Sequence, residues 1–327
     1  MRDSFASESK DERLAMLAAL VNGDVSLAYR LATELLAEGT PFDDIVSDVL
    51  APVQTEVGSR WASGELGVAY EHAASAAIDE LIIRLGATSE PPTGPTVVVA
   101  SPGHDTHGLG ARVVASSLAL EGYRVLFLGA AVPAEDLAEY IDLHAPFAVA
   151  LSCSLTTALV AAVGSVSAAH DTGVPVIGGG RAFQHDGLAE RVGLDALAGS
   201  SREAAIQLRA WEASPPRELR ATPDPIPEHA LLADRAPALV AAAVAAVGAD
   251  GRRNEIAAEM TRVLQVIEGA LLLGTRQLVA GQVRWLRETG PRHGVPRGEI
   301  DAALNALADE LHEQFERAER TLRVALR

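Results

Sequence analysis

The chain has 327 residues, of which 48% are hydrophobic and 22% charged, so general disorder is excluded and more than one folded core is expected. Its 44 acidic and 27 basic residues give a formal net charge of -17 at pH 7, and a field of this sign repels the phosphates of a nucleic acid.

The only cysteine, Cys153, excludes an internal disulfide. The N-terminal residues lack the apolar core of a signal peptide, and the apolar runs from Val97 and Ala148 are broken well short of the roughly 20 residues that cross a bilayer. We therefore expect a cytoplasmic protein that binds neither nucleic acid nor membrane.

Two proline-rich segments, residues 88–96 and 213–229, divide the chain, because proline removes a backbone donor and fixes φ. Residues 11–87 carry leucine and alanine at helical spacing and predict a four-helix bundle. Residues 96–212 alternate short apolar runs with helical stretches, which predicts a doubly wound parallel sheet of the Rossmann-like α/β class. Residues 230–327 predict an all-α domain of long helices, the second of which bends or divides at its glycines.

The middle domain carries apolar runs typical of buried strands: TVVVAS, RVLFLG, FAVALSCS, VPVIGGG and DALAGS. Helices are predicted between and after them, near residues 108–121, 134–143, 157–170, 183–191 and 201–211. Ligands of such sheets bind beyond the carboxyl ends of the strands, which is where residues 103–110, 129–133, 152–156 and 178–181 fall.

The first of these loops, within ASPGHDTHGLGARVV at 100–114, places an imidazole where a strand meets a helix. Its glycines lack the G-x-G-x-x-G spacing of a dinucleotide site, and His107 occupies a position where a phosphate needs close backbone. A neutral imidazole suits a transition metal when a carboxylate holds its other nitrogen, and Asp105 is two residues away. The loop therefore predicts His107 as a metal ligand.

The segment Asp105-Thr106-His107-Gly108-Leu109-Gly110 resembles the D-x-H-x-x-G signature of cobalamin-binding domains. In that family the histidine displaces the cofactor's own dimethylbenzimidazole from cobalt. The displaced nucleotide tail enters the sheet beside a serine after the third strand and glycines after the fourth. The resemblance implies that His107 binds cobalt and that the cofactor contacts Asp105, Thr106, Gly108, Gly110, Ser152, Ser154, Leu155, Gly178, Gly179 and Gly180. The usual pattern is S-x-L, so Ser152-x-Ser154 leaves open which serine serves the histidine and which the tail.

A second signature consists of Trp61, nine intervening residues and then Glu71-His72. It resembles the W-x9-EH motif of light-sensing cobalamin proteins, where these residues line the pocket of the 5'-deoxyadenosyl group. Trp61 can supply a flat apolar wall for adenine, while Glu71 and His72 can hydrogen-bond ribose hydroxyls. In the best-known light-sensing regulators a histidine follows the tryptophan and captures cobalt after photolysis. Ala62 stands at that position here, so the sixth cobalt ligand stays open.

The order of helical bundle, cobalamin domain and C-terminal helices is similar to that of the photocobilins, which pair cobalamin with biliverdin in a globin-like C-terminal domain. The resemblance implies a light sensor that binds adenosylcobalamin base-off and biliverdin as second chromophore. It also implies a homo-oligomer whose state depends on light and a downstream signalling partner. The sequence shows neither a metal-independent catalytic set nor a Walker-type loop, which argues against an intrinsic enzyme. Candidate bilin contacts in residues 230–327 are Leu271, Leu272, Leu273, Arg276, Arg284, Trp285, Leu286, Arg287, Arg292, His293, His312 and Phe315.

Two other functions stay open at this point. The chain could be a corrinoid methyl carrier of a methyltransferase system, whose helical domain shields a methyl group. It could also be a cobalamin storage or chaperone protein, which would bind several cobalamin forms without preference. The pair of Trp61 with Glu71-His72 favours the sensor, because a methyl group needs no such wall or hydrogen bonds.

Overall fold

The computed structural model describes residues 2–185, 187–224, 226–248, 251–312 and 314–327, with side chains from residue 11 onward. Three parts follow one another along the chain. We call them the N-terminal domain, which is helical, the sheet domain, which is α/β, and the C-terminal domain, which is again helical. This order agrees with the predicted succession of α, α/β and α parts.

The helices of the N-terminal domain are α1 (Arg2–Val21), α2 (Val25–Ala37), α3 (Phe42–Ile45), α4 (Ala51–Ser63) and α5 (Val68–Leu85). A π-helical turn over Val46–Leu50 joins α3 to α4. The buried apolar face of each helix contributes to one core, which is why leucine and alanine recur at helical spacing. Gly64 ends α4 with a φ of 81°, a left-handed conformation that suits glycine and lets the chain turn into α5.

The described residues of the sheet domain form one parallel sheet of five strands in the order β2-β1-β3-β4-β5. The strands are β1 (Thr96–Pro102), β2 (Arg124–Val132), β3 (Ala148–Ser152), β4 (Val176–Gly179) and β5 (Ala196–Leu197). Each of the predicted apolar runs is a strand, and the predicted parallel Rossmann-like sheet is confirmed. The strand order reverses at β1, so the loops after β1 and β3 leave in opposite directions and open a crevice at the carboxyl edge.

The helices of the sheet domain are α6 (Leu109–Leu120), α7 (Ala134–His144), α8 (Leu159–Asp171), α9 (Leu188–Val192) and α10 (Ser201–Ala213). The prediction of one helix near residues 183–191 is wrong. A 3-10 segment over Arg181–Gln184 comes first, and α9 begins only after Gly187, whose φ is 68°. The buried Phe183 side chain anchors the 3-10 segment separately in the core, so the chain must turn before α9 begins.

The C-terminal domain contains α11 (Pro227–Val247), α12 (Arg253–Leu273), α13 (Gln277–Thr289), α14 (Arg297–Leu311) and α15 (Glu316–Leu326). The second predicted helix divides at Gly274, which has a φ of 64°. The last of the predicted long helices is also divided, because α14 ends at Leu311 and α15 starts at Glu316. Phe315 between them is 1% exposed, so its ring turns into the core at the cost of helical continuity.

Helix α11 is long and apolar enough to cross a bilayer by length and composition, and it is the one helix among the described residues that meets this test. In the fold it packs against α12 and α14. Its buried side chains are Leu232, Leu239, Val240, Ala243 and Val244.

The C-terminal domain and the sheet domain share a continuous apolar core on the α8 side of the sheet. Gly269 of α12 lies so close to the start of α8 that an added Cβ would be 3.4 Å from Leu159 Cβ. Arg191 of α9 donates from Nη1 to the carbonyl oxygens of Leu273 and Gly274, at 2.8 and 3.0 Å, and so caps the end of α12. Helix α12 is thereby fixed beside the loop that follows β3.

Candidate functional site

The loop after β1 carries the carboxylate and the imidazole that the sequence singled out. Asp105 is fully buried, and His107 Nδ1 lies 3.3 Å from its Oδ1. The backbone N–H of His107 donates to the same oxygen at 3.0 Å, and Ser101 Oγ donates to the His107 carbonyl at 3.2 Å. The His107 side chain is 53% exposed, so its other ring nitrogen is free of the loop that holds it. This is the arrangement of a metal-binding histidine oriented by a carboxylate.

Asp105 also joins this loop to the loop after β3. The backbone N–H groups of Ser154 and Leu155 donate to Asp105 Oδ2, the second at 3.2 Å. Burial alone would raise the pKa of Asp105, but the hydrogen bonds from His107, Ser154 and Leu155 outweigh it and hold the pKa below its ordinary value. The carboxylate is therefore ionised at neutral pH and fixes two loop ends of the sheet.

The two serines that the sequence could not tell apart occupy different places. The backbone N–H of Ser154 donates a hydrogen bond to the Asp105 carboxylate. Ser152 is the last residue of β3. Its hydroxyl lies close to Gly110, because a Cβ added to that glycine would be only 2.8 Å from Ser152 Oγ. Ser154 thus lies on the histidine side of the loop, and the Ser152 hydroxyl faces the start of α6.

A cavity of about 380 Å³ opens between the carboxyl edge of the sheet, α6, α10 and the N-terminal domain. Its lining includes Gly110, Ser152, Ser154, Gly178, Gly179 and Gly180 of the predicted set. The lining is mostly apolar, and its volume suits a bulky group rather than a few waters. The structure therefore brings together the residues that the resemblance assigns to the nucleotide tail, in a groove that begins beside the His107 loop.

Two glycines that line this groove lie where the chain packs closely against itself. A Cβ on Gly178 would lie 2.2 Å from Leu194 Cδ1, and one on Gly180 would lie 2.4 Å from the Cys153 carbonyl oxygen. Gly180 also has a φ of 96°, which side chains rarely adopt. A side chain at either position would collide with the sheet domain's own atoms, so glycine is required for the close packing of the strand and loop that line the groove.

One side of the groove was not predicted from the sequence. It is formed by Gly199–Arg202 after β5 and by Asp43 and Asp44 of α3. Ser201 Oγ donates to Asp43 Oδ1 at 2.8 Å, and Arg202 Nη2 donates to Asp44 Oδ1 at 2.7 Å. The glycine and serines after the fifth apolar run could have identified the loop, because they too follow a strand end. Nothing in the sequence marks the two aspartates.

The three residues predicted to line the pocket of the 5'-deoxyadenosyl group lie on neighbouring helices. Trp61 is in the last turn of α4, and Glu71 and His72 are in the first turn of α5. Glu71 Oε2 lies 2.6 Å from His72 Nδ1, and Glu71 Oε1 accepts a hydrogen bond of 2.7 Å from Ser75 Oγ. Gln54 of α4 donates to the same Ser75 at 2.7 Å, and Gln54 lies seven residues before Trp61, hence on the same helix face. Trp61 and Glu71-His72 therefore share one side of the α4–α5 pair.

None of the candidate bilin contacts lines the cavity at the carboxyl edge of the sheet. Leu273, Leu286 and Phe315 belong to the core of the C-terminal domain, whereas Trp285 is 39% exposed. Three other candidates contact protein side chains: Arg287 pairs with Asp301, His312 pairs with Glu319, and His293 stacks on the ring of Trp61. The structure thus assigns no slot to biliverdin.

Two family models match the chain. Residues 95–209 match a model described as B12 binding domain, and residues 13–85 match a second model with the same description. The predicted cobalamin binding is confirmed at this level, and the matched residues include His107 as well as Trp61, Glu71 and His72. Adenosylcobalamin as the bound form, and biliverdin as a second chromophore, stay predictions.

Individual proteins with similar sequences fall into two kinds. The trimethylamine corrinoid protein of Methanosarcina barkeri is 27% identical over 213 residues, which are 62% of this chain and 97% of that protein. The HTH-type transcriptional repressor CarH of Myxococcus xanthus is 31% identical over 191 residues, which are 57% of this chain and 64% of that repressor. The structure of the monomethylamine corrinoid protein of Methanosarcina barkeri shares the fold, with a TM-score of 0.51 and 24% identity over 60% of this chain and 96% of that one.

Proposed function

Because the chain carries B12-binding domains, we propose that it is a light sensor that holds adenosylcobalamin base-off, with His107 below the cobalt and Trp61, Glu71 and His72 around the upper ligand. The bound cofactor supplies a cobalt–carbon bond that visible light breaks. The observation that carries the proposal is that Trp61 and the hydrogen-bonded Glu71-His72 pair lie on the same side of the α4–α5 helix pair. A nucleoside can use both features, and a methyl group can use neither.

The lower side of the site depends on Asp105. Its carboxylate lies against His107 Nδ1, which favours the tautomer with the proton on that nitrogen and leaves Nε2 with a free lone pair for cobalt. The glycine-lined groove beside the loop takes the displaced nucleotide tail.

In this proposal the signal arises from loss of the adenosyl group from the side of the site formed by the N-terminal domain. While the adenosyl group is present, Trp61, Glu71 and His72 hold it between the N-terminal and sheet domains. After its loss these side chains have no ligand to bind, and the N-terminal domain loses part of its attachment to the sheet domain. A change of contact surface then changes the homo-oligomeric state, which a downstream signalling protein reads.

Biliverdin is the second chromophore in this proposal and extends absorption to longer wavelengths. The order of the domains and the helical character of α11 to α15 support a bilin in the C-terminal domain. Titration of the full chain with biliverdin tests it, because a bound bilin acquires a red-shifted, narrowed absorption band that free bilin lacks.

The test of the sensor uses the full chain loaded with adenosylcobalamin in darkness. We expect bleaching of the adenosylcobalamin spectrum in visible light, together with a change of mass in size-exclusion chromatography with light scattering. The same chain loaded with hydroxocobalamin is the control and should not change its mass on illumination. Bleaching without any change of mass would contradict the sensor.

The second candidate is a corrinoid methyl carrier, and the match over 97% of the trimethylamine corrinoid protein favours it. A carrier should accept a methyl group in the dark from a corrinoid methyltransferase system. A storage protein should bind adenosyl, methyl and hydroxo forms with equal affinity. Transfer of methyl to the reduced cofactor, measured by absorption, separates the carrier from the other two.

A further inference from the structure

Glu71 is held in place by a chain of hydrogen bonds that begins on α4. Gln54 Nε2 donates to Ser75 Oγ at 2.7 Å, and Ser75 Oγ donates in turn to Glu71 Oε1 at 2.7 Å. Ser75 lies one helical turn after Glu71 on α5, so the chain joins the two helices that carry the proposed adenosyl site. The other carboxylate oxygen, Glu71 Oε2, lies 2.6 Å from His72 Nδ1. Both oxygens of Glu71 are therefore held by neighbouring side chains.

The direction of this chain follows from the single proton of the serine hydroxyl. That proton lies between Ser75 and the accepting carboxylate of Glu71, so the group that Gln54 turns toward Ser75 is its amide nitrogen. The amide oxygen of Gln54 points elsewhere, and it is buried without a hydrogen-bond partner among the described residues. Gln54 therefore acts as the donor at the start of the chain, and Ser75 passes the order on to Glu71.

Gln54 lies on the face of α4 that extends from the groove to Trp61. Four residues three or four positions apart share this face: Ala51, Gln54, Gly58 and Trp61. Ala51 lines the cavity at the carboxyl edge of the sheet. A Cβ added to Gly58 would meet no described atom within 4 Å beyond its own stretch of helix, so space is open between Gln54 and Trp61. The hydrogen-bond chain thus begins beside open space that lies between the groove and the indole ring.

We propose that Gln54 and Ser75 are positioning residues that hold Glu71 for the ribose of an adenosyl ligand and so favour a nucleoside over a methyl group. This inference rests on the proposed binding of adenosylcobalamin. Each carboxylate oxygen has two lone pairs, so beside its contact with Ser75 or His72 each oxygen of Glu71 keeps one for a ligand. Two such oxygens match the adjacent 2'- and 3'-hydroxyls of a ribose. A methyl group offers no donor to either.

The benefit of the chain is that Glu71 is ordered before the ligand binds. Its side chain is only 20% exposed, so a ligand can reach the carboxylate while the surrounding helices restrict it. A glutamate that already occupies one rotamer loses little conformational entropy on binding, and the hydrogen bonds to a ribose then add to affinity in full. If the chain is broken at Ser75 or at Gln54, part of that entropy is lost when the adenosyl form binds.

The test measures dissociation constants of the full chain in darkness for adenosylcobalamin and methylcobalamin. For Ser75→Ala we expect the adenosyl form to bind about fivefold more weakly, the size of one lost hydrogen bond. Gln54→Met keeps the shape but loses the donor, and should weaken binding about threefold. The double variant should lose no more than about fivefold, because either change breaks the same chain. Affinity for the methyl form should stay within about twofold of the wild type throughout.

Two further variants separate positioning from a general effect on the helices. Ser75→Thr keeps the hydroxyl and should retain the wild-type preference for the adenosyl form. The matched control is Thr55→Ala, which removes a hydroxyl of α4 that donates to the carbonyl oxygen of Ala51 in the same helix. It should leave both affinities unchanged.

Equal losses for the two cofactor forms, additive losses in the double variant, or an undiminished adenosyl preference in Ser75→Ala and Gln54→Met would each overturn the inference and leave the proposed adenosylcobalamin binding intact. That proposed binding fails by a different result, namely a wild-type chain that binds methylcobalamin as tightly as adenosylcobalamin. This last result would overturn the roles of Gln54 and Ser75 as well.

Discussion

In the proposed cobalamin site, cofactor binding depends most directly on the side chain of His107. His107→Ala removes the ring that Asp105 orients, so we expect the bound cofactor to lose its protein nitrogen ligand and to bind at least about tenfold more weakly. The electron paramagnetic resonance spectrum of the Co(II) form should lose the splitting from a histidine nitrogen. His104→Asn is the control, because His104 has a φ of 66° and asparagine tolerates this conformation. Nitrogen splitting that survives in His107→Ala would contradict the assignment.

Much of the proposed cobalamin site could be read from the sequence because its residues lie close together along the chain. Asp105 and His107 are two residues apart, and the glycines after β4 follow each other directly. The contacts that could not be predicted join distant segments, such as the backbone of Ser154 with Asp105 and the ring of His293 with Trp61. These depend on how the loops and domains pack, and no spacing within the chain carries that information.

Helix α12 contains a carboxylate that makes stability depend on pH. Burial raises the pKa of Glu268 to about 7, and the side chain has no hydrogen-bond or ion-pair partner among the described residues. Between its unfolded value near 4.5 and about 7 the folded state holds more protons than the unfolded state, so folding stability falls as the pH rises through this window.

Glu268→Gln removes that dependence because the amide does not titrate. We expect the variant to gain about 1–3 kcal/mol over the wild type between pH 5 and pH 8, measured as the difference in free energy of unfolding at each pH. Glu310→Gln, an exposed position on α14, should show no such gain. A constant difference between Glu268→Gln and wild type across the pH range would show that Glu268 ionises normally in the fold.

The strands were easier to predict than the helix ends. Short apolar runs bounded by glycine, proline and charged residues mark each buried strand, because parallel strands are covered on both faces. The division of residues 298–326 into α14 and α15 could not be predicted, since the helical spacing continues through the break. The break depends on Phe315, whose burial in the assembled domain outweighs local helix propensity.

The domains are attached to each other by different kinds of contact. The N-terminal domain meets the sheet domain through partly exposed ion pairs, Arg112 with Asp79 and Arg202 with Asp44, and through apolar contacts of α6. The C-terminal domain instead shares a buried apolar core with α8. Exposed ion pairs contribute roughly 0–1 kcal/mol each, whereas continuous apolar cores contribute far more. The N-terminal domain is therefore the part that can separate at low cost.

If light releases the N-terminal domain, hydrogen exchange should locate the separation. We expect illumination of the adenosylcobalamin-loaded chain to increase exchange in α5 and α6, whose facing sides become exposed, and to leave α8 and α12 protected, since their shared core stays closed. The variant with Asp44→Asn and Asp79→Asn should show part of this increase in darkness, because it lacks both interdomain ion pairs. Asp309→Asn, which breaks a pair with Arg323 inside the C-terminal domain, should not. Increased hydrogen exchange in α8 and α12 would contradict this prediction. It would mean that the C-terminal domain separates from the sheet domain instead, because exchange in these helices requires their shared core to open.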